Sequence, residues 1–138
     1  MLLTDIKSIN NIPIFRTVPL TIDNITLDIA QYLPAEDKAE FIQWVLEHTM
    51  DVTTGMASPL RSEIYFGLAI AKWYAGIEMP EGMTDTGAYD LLIQSNVLNT
   101  IIVNIPSEEY DSMVKMTNEC IEAAERYTLS FAGMMQNM

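Results

Sequence analysis

Apolar positions in the last third of the chain recur at helical spacing. After Pro106, one stripe reads Tyr110, Val114, Thr117, Ile121, Ala124, Thr128, Phe131 and Met135, in alternating steps of four and three. A second stripe, one residue away, reads Met113, Met116, Cys120, Ala123, Tyr127 and Met134. Side by side they form an apolar face wide enough to meet two neighbours. Ser107 suits the N-cap, and Glu108, Glu109 and Asp111 place negative charge where the helix dipole favours it. The pattern predicts a long C-terminal helix starting at Ser107. Its face has two uses: an intramolecular core and, toward the Met-rich end, docking on another subunit. Methionine adapts to varied contacts and aromatic rings anchor interfaces. Tyr127, Phe131, Met134 and Met135 are therefore candidate partner-binding residues.

Helical patterns also precede it. Ser58-Pro59 is a specific start signal, with serine as N-cap and proline at the first helical position. The helix it opens runs through Leu60, Ile64, Phe66, Leu68, Ile70, Ala71, Trp73 and Tyr74 and is apolar nearly all round, so it is expected at the centre. Gly67 permits close approach there, and Gly76 ends it. Pro34 fits the first position of an earlier helix, with Glu36 and Asp37 in its first turn and Phe41, Ile42, Trp44, Val45 and Leu46 on its apolar face through Met50. Glu78 to Gly87 has loop chemistry. Two short helices follow, Ala88–Ser95 with Asn96 as a left-handed cap, then Val97–Ile105 up to Pro106.

The first 25 residues are the least helical. Pro13 and Pro19 interrupt Ile12, Ile14, Val18, Leu20 and Ile22, which predicts an extended arm with strands only at an edge. Ile25 to Leu33 reads as a short helix, because Ile25, Leu27, Ile29 and Ala30 do not alternate cleanly and Pro34 closes the stretch. The expected fold is all-α: a compact bundle of about four to five helices with a long C-terminal helix and an extended N-terminal arm. Residues 1–25 form the arm and 26–138 a single helical domain.

Composition narrows the function. Nineteen acidic residues against seven basic ones give a net charge of −12. That charge argues against direct nucleic-acid binding and against acidic membrane surfaces. No apolar run reaches the roughly 18 residues of a membrane span, and the N-terminus lacks the basic-then-apolar pattern of a secretory signal. The expected setting is a reducing cytoplasm. Cys120 is the only cysteine and His48 the only histidine, so neither an internal disulfide nor a histidine metal pair is available. Cys120 lies on the apolar helix face, away from any helix start that would activate it. Carboxylates cluster at helix starts, their ordinary place. There is no phosphate-binding glycine loop and no nucleophile-elbow pattern. The expectation is a non-enzymatic protein without cofactor or metal. Trp44, Tyr65, Trp73 and Tyr74 suit a helical core; Trp73 and Tyr74, near the Glu78–Gly87 loop, are also candidates for a second partner-facing region.

Three stretches, YLPAEDKAEFIQWVLEHTMD (Tyr32 to Asp51), SPLRSEIYFGLAIAKWYAGIE (Ser58 to Glu78) and IPSEEYDSM (Ile105 to Met113), resemble in order and spacing small acidic proteins encoded among the virion-structure genes of tailed phages. The resemblance carries over no site residues. It implies an accessory head, neck or tail component, or an assembly factor, found in the virion and, during assembly, in the host cytoplasm. Its partners would be other virion proteins or further copies of itself, with no nucleic acid or membrane contacted directly. The other reading of the acidic surface is a phage-encoded inhibitor that occupies the basic channel of a host nucleic-acid-binding or defence protein.

Overall fold

The computed structural model describes residues 1–9, 12, 16–51 and 53–136; the side chains of 129–136 are not among the features described. Five helices follow a two-stranded hairpin: β1 Thr17–Ile22, β2 Ile25–Ala30, α1 Ala35–Thr49, α2 Pro59–Ala69, α3 Asp85–Gln94, α4 Val97–Val103 and α5 Ser107–Gln136. A π-helical turn, Ile70–Tyr74, continues α2 without a break.

The hairpin corrects the all-α expectation and the short helix read over Ile25–Leu33. Asp23 and Asn24 both take positive φ, 49° and 66°, the geometry of the two-residue turn that matches strand twist. Val18, Leu20 and Ile22 then alternate with Thr17, Pro19 and Thr21 on one strand, as Ile25, Leu27 and Ile29 do with Thr26, Asp28 and Ala30 on the other. The alternation is strict; Ala30, at the end of β2, is what blurred it. Pairing runs Ile22↔Ile25 through Thr17↔Ala30. Hydrogen-bonded pairs alternate outward from such a turn, so Pro19↔Asp28 falls at a non-bonded pair and the missing N–H of Pro19 leaves no rung empty. The next bonded rung forms beyond the strands, where Gln31 N–H donates to the Arg16 carbonyl at 2.9 Å. The hairpin crosses the 25/26 boundary drawn between arm and domain. Upstream, Leu3–Asp5 makes a 3-10 turn; residues 10, 11 and 13–15 of the arm lie outside the described residues.

Ile29, Leu33, Phe41, Val45, Ile70, Tyr74, Ile101 and Met113 meet in one core. The α2–π segment runs through it: Leu68, Ala69, Ile70 and Ala71 are at most 2% exposed, as expected of a helix apolar nearly all round. The Ser58 cap is formed, with Oγ accepting from the Arg61 N–H at 3.3 Å. Gly67 does permit close approach, since a Cβ there would come within 2.9 Å of the Tyr89 ring and 3.0 Å of Leu98. Asn96 is left-handed, with φ 63°. Two starts move by one residue. The Pro34 and Pro106 carbonyls accept from the N–H groups of Lys38 and Tyr110 at 2.9 and 3.0 Å, so both prolines precede their helices and Ser107 is already helical.

On α5 the buried line runs Met113, Thr117 and Ile121, taking Met113 from the second stripe and the other two from the first, while Ala123 and Tyr127 of the second stripe are exposed. The α1–α2 loop fastens to this helix. Glu125 accepts the Ala57 N–H at 3.1 Å, and Gly55, with φ +71°, lies where any Cβ would collide with Thr128. Thr53 and Thr54 N–H groups hold the Asp51 carboxyl below the usual carboxylate range and shape that loop.

Candidate docking cleft

Beside the Glu78–Gly87 loop, where the sequence points to a partner-facing region, the fold opens a cleft of about 560 Å³. The C-terminal half of α1 supplies Trp44 and His48, one turn apart on the same face. The α2–π segment supplies Leu68 and Lys72, and the loop supplies Ile77, Glu78 and Met79, with Asp85 beyond them. The π turn inserts one residue into the register and re-aims three side chains, a device frequent at functional sites. Trp73 turns inward onto Phe41 and Trp44, with ring centroids 5.6 and 5.7 Å away. Tyr74 is buried, its ring edge-on to the same Phe41 at 6.2 Å. Lys72 stays outside, its ammonium 5.3 Å from the Trp44 ring and 4.9 Å from the Trp73 ring, a cation over two aromatic faces.

The cleft wall is a cluster of mutually tilted rings. The His48 ring packs against both Trp44 and Tyr65, at 4.5 and 4.9 Å, which themselves meet edge-on at 5.6 Å, and its Nδ1 is 2.8 Å from the Trp44 carbonyl. Tyr65 donates its hydroxyl to Asp85 at 3.0 Å. Burial and the Asp85 carboxylate together push that phenol above its ordinary value. Chemically the cleft offers aromatic rings, one cation, two carboxylates and apolar side chains. His48 spends one ring nitrogen on the backbone, and Cys120, half-buried on α5, does not line the cleft. Among the described residues no three His, Cys, Asp or Glu side chains converge as a metal set, and no helix is long and apolar enough to cross a membrane.

Of the six candidate partner-binding residues, Tyr127 is 75% exposed. Trp73 is half-buried. Tyr74 is 1% exposed and cannot face a partner. Its hydroxyl donates to Glu109 Oε1 at 2.9 Å, the same oxygen that takes the Leu33 N–H at 3.4 Å and lies 3.3 Å from Lys38 Nζ. This is a buried polar junction joining the hairpin exit, α1, the π turn and α5. The Phe131, Met134 and Met135 side chains lie outside the described residues. Sequence reasoning missed Trp44, His48, Lys72 and Asp85 as one group. The i, i+4 pair Trp44–His48 was a readable signal; the π turn that swings Lys72 over Trp44 was not.

Comparison with protein-family models, with curated proteins and with solved structures finds no match.

Proposed function

We propose that this is a non-enzymatic component acting through protein–protein contacts, and that the assembly it serves is a phage particle, as an accessory head, neck or tail part or an assembly factor. One observation carries the contact reading: large apolar side chains stand on the surface in groups. Leu2, Leu3 and Ile6 are 70%, 68% and 37% exposed within one short segment, and Met83 and Leu91, at 39% and 55%, line one recess. Single exposed apolar residues are ordinary on any surface; grouped ones mark contact sites. The virion setting rests on the sequence resemblance.

Charge layout supports this reading over the inhibitor. A nucleic-acid decoy asks for carboxylates gathered on one face. Here exposed carboxylates are distributed over α1 (Glu36, Glu40, Glu47), the following loop region (Glu78, Glu81, Asp85) and α5 (Glu108, Asp111, Glu119, Glu122). The test is mass spectrometry of gradient-purified particles from the encoding phage, together with deletion of the gene. The chain is expected to co-purify at fixed stoichiometry, and its loss to impair assembly. Particles that lack the chain, with normal assembly after deletion, would refute the reading.

A further inference from the structure

The cleft continues past Ile77–Met79. These residues also border an apolar recess of about 240 Å³, lined by Met83, Leu91 and Leu92. The two hollows adjoin along Ile77, Glu78 and Met79 as one trough: Glu78 stands at the junction, the smaller part is otherwise without charge, and the larger part adds Asp85 and Lys72. Lys72 is drawn over the Trp44 and Trp73 rings, and neither carboxylate forms an ion pair with any described residue.

The N-terminal segment has the complementary pattern. Its 3-10 turn buries none of its residues. Asp5 is occupied locally, its carboxylate accepting the Leu2 N–H at 2.9 Å, whereas Lys7 has no ion pair among the described residues. Charge divides the chain the same way. The first 22 residues hold one acid and two bases, and the remainder holds eighteen acids and five bases out of nineteen and seven in all. Apolar side chains followed by a lysine, on the chain's net-positive stretch, thus match in kind a recess of apolar side chains with Glu78 at its edge and Asp85 beyond.

We propose that the N-terminal segment of one copy docks in this trough on a second copy, with Leu2, Leu3 and Ile6 toward Met83 and Leu91, and the Lys7 ammonium toward Glu78 and Asp85. The inference rests on the protein-contact reading and names its partner as a second copy of this chain. Apolar burial supplies the attraction, and the exposed ion pair fixes register more than affinity.

The test uses two differently tagged full-length chains in a Cys120→Ser background, one carrying Leu3→Cys and the other Leu91→Cys. Both positions are exposed, so neither change empties the core, and thermal melts check the fold. On mild oxidation the mixed pair is expected to cross-link several-fold more than a control pair in which Val103→Cys on α4, also exposed, replaces Leu91→Cys. Lys7→Glu in the first chain should lower the yield, and Glu78→Lys in the second should restore it. Cross-linking no higher than the control, a double-cysteine chain that closes on itself instead, or a yield unmoved by the charge exchange would overturn the proposal. Its failure is separable from that of the reading beneath it: a chain that enters particles but never cross-links loses only the arm exchange.

Discussion

Tyr74 illustrates what a single side chain can hold together. Buried on the π turn, it donates to a carboxylate that also receives a lysine and a backbone N–H. Burial, then the Glu109 carboxylate, raises its pKa far above the ordinary tyrosine value of 10.0. The folded state therefore keeps a proton that the unfolded state releases once pH passes that value. Stability is fully present below it and falls as pH climbs above it. Tyr74→Phe should flatten this decline between pH 9.5 and 11, measured by denaturant unfolding at stepped pH; an unchanged slope would assign the decline to other groups. Thr117 makes the opposite case. It is 1% exposed and its hydroxyl has no hydrogen-bond partner among the described residues. Thr117→Val should raise stability by about 1 kcal/mol, because it removes an unpaired buried polar group. A lower denaturation midpoint would show that the hydroxyl is satisfied after all.

At the scale of elements, α2 and α5 explain how much was legible in advance. Ser58-Pro59 marks the start of α2 in sequence because cap and first-turn geometry are local, and the bond to the Arg61 N–H is formed. Ser58→Ala should cost about 1 kcal/mol, read as a shifted urea midpoint at constant slope. The α5 periodicity likewise located the buried Thr117 and Ile121 of its first stripe, although Met113, also buried, falls on the second. Ile121 is 6% exposed, so Ile121→Asp should cost roughly 3–5 kcal/mol by burying an unpaired charge; a melt within a degree or two of the parent would contradict that packing. The hairpin was misread although its signals were present: strict alternation on both sides of Asp23-Asn24, a turn pair that tolerates positive φ. Pro19 suggested a broken arm because its harmlessness depends on pairing register, which no single stretch reveals. The π turn left no composition signal, so the grouping of Lys72 with Trp44 and the burial of Tyr74 were not readable beforehand. Tertiary packing decides both.

At the scale of the molecule, the hairpin and five helices close around a main core, with a smaller cluster of Ile64, Tyr65, Leu68 and Ala88 beside it, and present two unlike surfaces. One is the trough beside Ile77–Met79, apolar around Met83 and Leu91, with Glu78 at its middle and Asp85 beyond. The other is the N-terminal segment, with apolar side chains that nothing in its own turn buries. The arrangement has the parts of an exchange interface, and the strongly acidic remainder of the chain opposes any contact that does not bring the basic segment along. The most direct measurement of this account is the mass of the full-length chain by light scattering behind a sizing column, over a concentration series at low and moderate salt. The account predicts a mass that rises with concentration from the 15.6 kDa of one chain toward twice that value, and a return toward one chain in Leu91→Asp. A single-chain mass throughout the series, or a dimer indifferent to Leu91→Asp, would contradict it.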